Sequence, residues 1–469
     1  MSVRAYEGVR ATIMGLGVLG GGVGVARYLA ERGATVTVTD QRIEADLAES
    51  ISQLSELDIT YHLGDHDDRD FMIEGADLVV RNPGVRRDSR YLRLARESGV
   101  SVEMEMSLFF RACPSRIIGV TGTKGKTTVT ALIGQILTSW NASSFIAGNM
   151  GISALEGLSR LVPETPVAIE LSSWQLESLD EHHLGPHVSV ITNFSEDHLD
   201  RYDGFEDYVE TKRSIAHHQK ADGVAVFNGD DVHVRRVADQ TQAVPMSFGA
   251  LERAGNSAWS SEASLYSRFN DETLEFPLPE QISLRGPHGR LNALAAIAAC
   301  HAYGVPEHAI SSGLMAFFGV ENRLEDLGTV RGVYFINDTS ATAPIATVSA
   351  LNLLRERPGH VFLISGGADK KSDLTEFLDV LAEKATAIVL LPGSATESVT
   401  AGLEARGVIV GPIARSMEEA VGRAFEHAKA GDTVILSPGL ASFGLFRNEF
   451  DRGTQFRAAR QRLWDEYGS

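Results

Sequence analysis

The chain has few cysteines, no long apolar run and fewer basic than acidic residues. Cys113 and Cys300 are its only cysteines, which excludes a disulfide framework or a cysteine-rich zinc site and fits a reducing compartment. No apolar run approaches the ~20 residues of a membrane span, and the charged stretch from Met1 to Arg10 does not resemble a signal peptide. We therefore expect a cytoplasmic protein without a membrane partner.

The charge balance excludes another class of partner. Lys and Arg number 43 against 62 Asp and Glu, so the formal net charge is −19, which argues against a nucleic-acid partner. An anionic small ligand is still compatible with a locally positive pocket. The 469 residues, 43% hydrophobic and 22% charged, are typical of a globular protein. At ~150 residues per domain they predict about three domains, and we expect a monomer.

The strongest functional signal is a glycine-rich segment between a predicted strand and a predicted helix. Glycines there allow backbone N–H groups to surround phosphate oxygens, and the helix N-terminus adds partial positive charge. Lys126 is expected to reach the terminal phosphates, and the Thr127 hydroxyl to face magnesium. The glycines lie closer together than in the common Walker pattern. The predicted ATP-binding loop comprises Gly122, Thr123, Lys124, Gly125, Lys126, Thr127 and Thr128.

Ahead of this loop, residues 1–112 have the pattern of a Rossmann-like domain. A predicted strand at Val9 to Met14 is followed by a glycine loop at Gly15 to Gly20, a helix, and a second strand that ends at Asp40. This arrangement is typical of a dinucleotide site, but the same geometry binds any diphosphate, including that of a nucleotide sugar. A further strand leads to the tight loop Asn82-Pro83-Gly84.

Residues 113–318 carry further candidate ligands after buried strands. Glu170 ends one predicted strand, where a carboxylate binds magnesium or merely faces solvent. His198 lies in the acidic cluster Glu196 to Arg201 after another strand, which favours chemistry. Lys212 has helical spacing, and that pattern alone favours a solvated lysine. Asn292 precedes a predicted alanine-rich helix (Ala293 to Ala302), where it contacts a nucleotide base or caps the helix.

Residues 319–469 alternate strands and helices again. Each predicted strand ends at a small or polar loop, and in a doubly wound sheet such loops share the edge where ligands bind. We therefore predict an α/β protein of three domains: a Rossmann-like N-terminal domain (1–112), a central P-loop ATPase domain with a mostly parallel sheet (113–318) and a C-terminal Rossmann-like domain (319–469). A site built between such domains commonly closes by hinge motion.

Taken in order, the motifs resemble those of the Mur ligases, the ATP-dependent amide ligases of peptidoglycan precursor synthesis. The resemblance covers nearly the whole chain. It rests on Gly122–Thr128, Gly148–Gly151, Glu170–Glu177, Glu196–Arg201, Asn322–Arg323, Asn337–Asp338, Gly366–Gly367 with Lys370, Leu436–Pro438 and Ala441–Ser442.

The resemblance implies three ligands. The first domain would bind the UDP part of UDP-N-acetylmuramoyl-L-alanine, the central domain ATP, and the third the incoming glutamate together with part of ATP. The implied UDP-substrate residues are Gly15, Leu16, Gly17, Val18, Asp40, Asn82, Pro83 and Gly84, with Asn149, Ser172 and Gln175 near the muramoyl-alanine end. Further ATP contacts would come from Asn292, Arg323 and Asp338, and glutamate contacts from Thr342, Lys370 and Ser442.

The resemblance also implies a mechanism. The γ-phosphoryl group of ATP moves to the alanine carboxylate, and the glutamate amine attacks the resulting acyl phosphate. Three anions must meet, so cations have to offset their repulsion. Lys126, His198 and Lys212 would be catalytic, and two Mg²⁺ ions would be held by Thr127, Glu170, His198 and a Lys212 carbamylated by carbon dioxide.

Three positions depart from the family pattern. Ser340 replaces a lysine, Glu449 replaces an aromatic residue, and Gly289 replaces an asparagine. The resemblance favours D-glutamate as the added amino acid. Because the first two departures surround the expected glutamate pocket, we keep L-glutamate as the alternative. Rival hypotheses are a polyglutamate ligase, which lacks the glycine-rich UDP domain, an NAD-dependent oxidoreductase, which leaves Lys126 and Glu170 without a role, and an inactive binding protein.

Overall fold

Three separate β-sheets with intervening helices form the described part of the chain. The computed structural model describes residues 5–18, 20–148, 153–197, 201–279, 284, 286–354, 357–368, 373–442 and 445–468. Helices between successive strands return the chain to the same end of each sheet, so most neighbouring strands are parallel. The predicted α/β class is confirmed, while the residue boundaries of the three predicted domains stay a prediction.

The first sheet is parallel throughout, with strand order β3-β2-β1-β4-β5. Because the order reverses beside β1, the loops after β1 and β4 meet at the switch point where α/β sheets bind ligands. Its strands are β1 (Arg10–Met14), β2 (Thr35–Asp40), β3 (Ile59–Leu63), β4 (Leu78–Arg81) and β5 (Ser101–Glu103). The helices are α1 (Gly21–Ala30), α2 (Glu44–Ser52), α3 (Arg90–Glu97) and α4 (Glu105–Ala112), with a 3₁₀ turn at Asp68–Phe71.

The second sheet has the order β14-β13-β12-β11-β10-β9-β6-β8-β7, antiparallel only at the β12–β14 edge. Its strands are β6 (Ile117–Thr121), β7 (Phe145–Gly148), β8 (Val167–Glu170), β9 (Val188–Ile191), β10 (Val224–Asn228), β11 (Val244–Phe248), β12 (Ser257–Ser260), β13 (Ser264–Phe269) and β14 (Glu272–Pro277). The helices are α5 (Lys126–Trp140), α6 (Ser173–Glu181), α7 (Phe205–Arg213), α8 (Val237–Gln240), α9 (Gly286–Tyr303) and α10 (Glu307–Met315), with 3₁₀ segments at Ala154–Arg160 and Ser214–Ala216.

The third sheet has the order β15-β16-β19-β17-β18, in which only the edge strand β15 is antiparallel to its neighbour. Its strands are β15 (Glu325–Val330), β16 (Val333–Asn337), β17 (Val361–Gly366), β18 (Ala387–Leu391) and β19 (Thr433–Leu436). The helices are α11 (Pro344–Leu354), α12 (Thr375–Lys384), α13 (Thr396–Glu404), α14 (Met417–His427) and α15 (Glu449–Tyr467).

The chain divides into two compact units. The first unit, Met1–Leu278 with Leu291–Met315, contains the first two sheets, which share one apolar cluster. The second unit, Pro279–Arg290 with Ala316–Ser469, contains the third sheet. Successive strand residues such as Phe335 and Ile336 belong to different apolar clusters, because alternate side chains leave opposite faces of a sheet. Within the described ranges, no helix combines the length and the apolarity needed to cross a bilayer.

Candidate active site

The predicted phosphate loop follows β6 and leads into α5, as the sequence indicates. Its backbone requires glycine at two places. Gly122 has φ 141°, and a Cβ there would lie 1.9 Å from Thr192 Oγ1, while Gly125 has φ 85° at the N-terminus of α5. Side chains at these positions would clash or strain the turn. The loop thus presents backbone N–H groups and a helix N-terminus where an anion can bind.

The segment after β9 fixes the shape of this loop. Asn193 accepts from Thr123 N through its carbonyl oxygen (2.8 Å) and from Lys124 N through Oδ1 (3.0 Å), and its Nδ2 donates to Lys124 O (2.9 Å). Thr192 Oγ1 also donates to Lys124 O, at 2.7 Å. Sequence reasoning missed Thr192 and Asn193, although polar residues directly after a buried strand were a usable signal. Their bonds hold the loop in place before any ligand arrives.

Lys126 follows the last glycine of this loop, and Asn292 of α9 lies next to the loop. Lys126 Nζ donates to the carbonyl oxygens of Gly122 and Thr123, both at 3.0 Å. A Cβ placed on Gly125 would lie 2.6 Å from Asn292 Oδ1, so this predicted nucleotide contact is adjacent to the loop. The helix begins at Gly286, so Asn292 lies inside α9, and the prediction that it precedes or caps the helix is wrong. The structure therefore brings these two predicted ATP-binding residues together.

Glu170 and Lys212 are buried, and both solvent-facing alternatives are wrong. Glu170 ends β8, the neighbour of β6, and each residue is only 2% exposed. Burial lowers the pKa of Lys212 to about 7, and the Lys126 ammonium adds to this effect. The carboxylates of Asp197 and Glu170 raise the pKa and so offset part of the shift. These electrostatic interactions place four charged groups around one sheet edge. Asp197 was not among the predicted site residues, although it lies in the acidic cluster that the sequence singled out.

Tyr208 connects Lys212 to the phosphate loop. Lys212 Nζ lies 5.0 Å from the centre of the Tyr208 ring, and the Tyr208 hydroxyl lies 3.1 Å from Thr123 Oγ1. Burial raises the pKa of Tyr208 to about 12, so its hydroxyl stays protonated at neutral pH. Helix α7 thus supplies two neighbouring side chains, one turn apart, to the region around the loop.

The donor set fits magnesium in part. The Glu170 carboxylate is buried near Lys212, and Thr127 lies in the first turn of α5, as in phosphate-loop enzymes. Among the residues that the structure describes, no three His, Cys, Asp or Glu side chains form a metal-binding group. His198, a predicted ligand, lies outside the described residues, and Lys212 would be a ligand only as a carbamate.

The predicted UDP-binding loops meet at the switch point of the first sheet. A Cβ on Gly15 (φ 92°) would lie 3.0 Å from Asn82 Cβ, and Gly84 N donates to Asn82 Oδ1 at 3.0 Å. Asp40 accepts from Gly17 N (3.1 Å) and from Arg42 N (3.0 Å). Asp40 has the position of the acid that binds ribose in dinucleotide enzymes, and here it accepts a hydrogen bond from the glycine loop.

Other residues of this predicted set differ in what they offer. The Leu16 side chain is buried in the core, so only its backbone is available to a ligand, whereas Val18 is exposed. Ser172 and Gln175 form a capping box at the start of α6, in which Gln175 N donates to Ser172 Oγ and Ser172 N to Gln175 Oε1. Asn149 lies outside the described residues.

In the second unit, Arg323 and Asp338 lie close together. Asp338 follows β16 and is buried; it accepts from Ser437 Oγ (2.8 Å) and Leu324 N (3.1 Å). Burial raises its pKa to about 7 despite these bonds and the nearby Arg323 guanidinium. Arg323 itself is exposed. The predicted nucleotide contacts of this unit are therefore neighbours.

The segment with the departure at Ser340 is firmly held. Arg452, fully buried on α15, donates from Nε to Thr339 Oγ1 and from Nη2 to Thr339 O, both at 2.9 Å. Thr339 Oγ1 in turn donates to the carbonyl oxygen of Glu449 at 2.9 Å. Of the predicted glutamate contacts, Thr342 follows this segment, Ser442 is buried after β19, and Lys370 lies outside the described residues.

Comparisons with known proteins agree with this arrangement. Three family models match: "Mur ligase MurD-like, N-terminal domain" at residues 9–103, "Mur ligase middle domain" at 120–300 and "Mur ligase, glutamate ligase domain" at 322–440. The UDP-N-acetylmuramoylalanine–D-glutamate ligase of Roseiflexus sp. (strain RS-1) is 42% identical over 96% of this chain and 98% of its own length. The ligase of the same name from Symbiobacterium thermophilum is 34% identical over 97% and 98%.

The solved structure of MurF from Acinetobacter baumannii has a similar fold, with a TM-score of 0.61, 18% identity and coverage of 97% of this chain and 94% of that one. Three observations agree on the same family: relatives over nearly the full length, family matches in all three segments, and a phosphate loop near Glu170 and Lys212. The oxidoreductase hypothesis explains none of the three. The chain belongs to the Mur ligase family.

Proposed function

We propose that this protein uses ATP to join D-glutamate to UDP-N-acetylmuramoyl-L-alanine. The observation that carries the proposal is the phosphate loop with Lys126, next to the buried Glu170 and Lys212. The relatives that span the whole chain support the substrates, because their names state D-glutamate ligation. The MurD-like match at residues 9–103 favours a UDP-sugar acceptor over a polyglutamate substrate.

The chemistry requires activation of a carboxylate. An ionised carboxylate resists attack by an amine because its oxygens are poor leaving groups. Transfer of the γ-phosphoryl group from ATP to the alanine carboxylate gives an acyl phosphate and ADP. The glutamate amine then attacks the carbonyl carbon, the amide bond forms, the C–O bond to phosphate breaks, and the amine loses a proton.

The residues of the first unit meet the electrostatic demand of this reaction. The Lys126 ammonium offsets the charge of the β- and γ-phosphates, and the α5 N-terminus adds to it. Thr127, Glu170, His198 and a modified Lys212 would hold magnesium, which when bound supplies charge stabilisation to the transferring group. Asn193 and Thr192 keep the loop rigid, so little reorganisation accompanies phosphoryl transfer.

We also propose that Lys212 carries a carbamate. A buried amine surrounded by Lys126, Asp197 and Glu170 gives up its proton more easily than an exposed one, and the neutral amine reacts with carbon dioxide. The product is an anion that can bind magnesium. Lys212→Ala should lose activity and regain part of it with a small carboxylic acid that replaces the carbamate. Lys220→Ala, at an exposed position, is the control; full activity of Lys212→Ala without acid would contradict the role.

A phosphate-release assay with UDP-N-acetylmuramoyl-L-alanine tests the whole function. We expect ATP turnover that depends on both the UDP-sugar and D-glutamate. Turnover with L-glutamate instead would assign the alternative amino acid, which the departures at Ser340 and Glu449 keep open. Turnover with neither would refute the proposal. The monomeric state and the cytoplasmic location stay predictions.

A further inference from the structure

Two arginines hold the backbone of the Asn82–Val85 loop from different sides. Arg201 donates from Nη1 to Pro83 O (3.4 Å) and from Nη2 to Gly84 O (3.1 Å). Arg81 donates from Nη1 to Val85 O at 3.0 Å. Consecutive carbonyl oxygens of this turn thus point toward guanidinium groups, which leaves the turn little freedom to move.

Arg201 lies in the segment that follows β9 of the second sheet, and it also contacts the segment after β8. Its guanidinium lies 4.6 Å from the centre of the Trp174 ring, in the first turn of α6. In sequence, Arg201 is three residues after His198 and belongs to the acidic motif that follows β9. One side chain therefore joins the loop after β4, the start of α6 and the loop after β9.

A buried ion pair lies beside it. Arg81 Nη2 donates to Glu177 Oε2 at 2.6 Å, and the Tyr202 hydroxyl donates to Glu177 Oε1 at 3.1 Å. Arg81 is 3% exposed. Glu177 thus links Arg81, the residue before the loop, to Tyr202, the residue after Arg201.

We propose that Arg201 is a positioning residue that sets the Asn82–Val85 loop of the UDP-sugar site relative to the phosphate-loop edge of the second sheet. This inference rests on the proposed function, which assigns that loop to the UDP substrate. Arg201 acts through backbone carbonyls of the loop. Its loss should therefore weaken binding of the UDP-sugar and displace the acceptor carboxylate, while the ATP loop, held by Asn193, keeps its shape.

The test compares Arg201→Met, Arg201→Lys and Arg96→Met in the full chain. Methionine keeps the apolar stem and removes both bonds, while lysine keeps the charge with donors at a single point. Arg96 is the matched control, because it forms an ion pair between α3 and α6, and its guanidinium donates to Glu181 rather than to the carbonyl oxygens of the loop. The measurements are KM for each substrate, kcat, and calorimetric binding of UDP-N-acetylmuramoyl-L-alanine.

For Arg201→Met we expect KM for the UDP-sugar and its dissociation constant to rise about tenfold, with KM for ATP changed by less than about twofold. Arg201→Lys should show a smaller rise, about threefold, because one bond is restored. Kinetics equal to those of Arg96→Met, or an equal rise in both KM values, would overturn the proposal. If Arg201→Met does not fold, Arg201→Lys tests the proposal alone. A wild-type KM and dissociation constant for the UDP-sugar in Arg201→Lys would then refute the positioning role.

The two hypotheses fail in different ways. A wild-type protein that neither binds the UDP-sugar nor turns over refutes the proposed function. A wild-type protein that ligates normally, with Arg201 variants that match the Arg96→Met control, refutes only the positioning role.

Discussion

At the residue scale, Lys126 is the side chain whose chemical role is easiest to isolate. Its ammonium contacts carbonyl oxygens of its own loop, so its removal should leave the surrounding packing intact. We expect Lys126→Ala to lower kcat about a thousandfold, the effect of losing one oriented charge at the transferring group. Phosphate release measures it, with exposed Lys220→Ala as the control. Near-normal turnover by a folded Lys126→Ala protein would contradict the assignment.

Asp338 gives a pH-dependent prediction. Its native pKa is raised to about 7 from an ordinary value of 3.8, so the native protein holds a proton that the unfolded chain has released. The stabilising contribution is therefore complete below the unfolded pKa and is lost as the pH rises toward 7. Asp338→Asn mimics the protonated acid. Relative to wild type, the variant should gain stability between about pH 4 and about pH 7 in denaturant unfolding, and a constant difference would contradict the expectation.

Individual residues also show where sequence patterns are insufficient. Helical spacing favoured a solvated Lys212, yet the residue is buried, because burial is decided by the elements that pack against α7. Ser172 and Gln175 have the spacing of a capping box, and the structure shows those bonds; their proposed contact with the substrate stays a prediction. Lys126 and Glu170 were easier to identify, because strand ends and glycine loops leave a local signature.

At the scale of elements, the pair Arg81–Glu177 should stabilise the contact between β4 and α6. Arg81 is 3% and Glu177 13% exposed, so Glu177→Gln would leave a buried guanidinium without its counter-charge. We expect the free energy of unfolding to fall by about 3 kcal/mol. Tryptophan fluorescence during denaturant unfolding measures it, since Trp140, Trp174 and Trp259 all lie in the first unit.

The control for this prediction is Glu181→Gln. Glu181 pairs with Arg96 between α6 and α3, but both side chains are more than a third exposed, so its loss should cost less than about 1 kcal/mol. Equal losses in the two variants would show that burial does not govern the Arg81–Glu177 pair.

The predicted bounds of the buried strands agree with the structure to within a few residues. The strand predicted at Val9 to Met14 is β1 (Arg10–Met14), and the second strand ends at Asp40 as predicted, because both apolar runs end abruptly at polar or glycine-rich loops. The antiparallel edge formed by β12, β13 and β14 was missed. β14 alternates exposed and buried residues without an unbroken apolar run. Strand pairing at a sheet edge depends on partners distant in sequence, which local patterns do not encode.

At the scale of the whole molecule, the second unit should fold without the first. The segment Ala316–Ser469 contains all five strands of the third sheet and both of its apolar clusters. We expect this fragment, expressed alone, to unfold cooperatively on heating and to show the near-ultraviolet circular dichroism of packed aromatic residues. A fragment with helical signal but gradual melting would show that it needs the rest of the chain.

The number of sheets could be predicted from the sequence, but their grouping could not. Three βα-rich segments were each recognisable from alternating apolar runs and glycine loops. That the first two sheets share an apolar cluster depends on side chains such as Leu29, Phe109 and Leu155, which look like ordinary core residues in sequence. The motifs indicated the Mur ligase family and the full-length relatives confirmed it, whereas the geometry of the site required the fold.

The hydrogen bonds of Asp40 explain why a glycine fingerprint alone misleads. Both carboxylate oxygens are occupied by amides of its own domain, those of Gly17 and Arg42. In dehydrogenases, this acid is often exchanged to alter cofactor preference. Here its exchange would remove hydrogen bonds that stabilise the turn after the first strand. An exchange that aims to alter the choice of nucleotide would therefore change the stability of this turn together with any contact to the ligand.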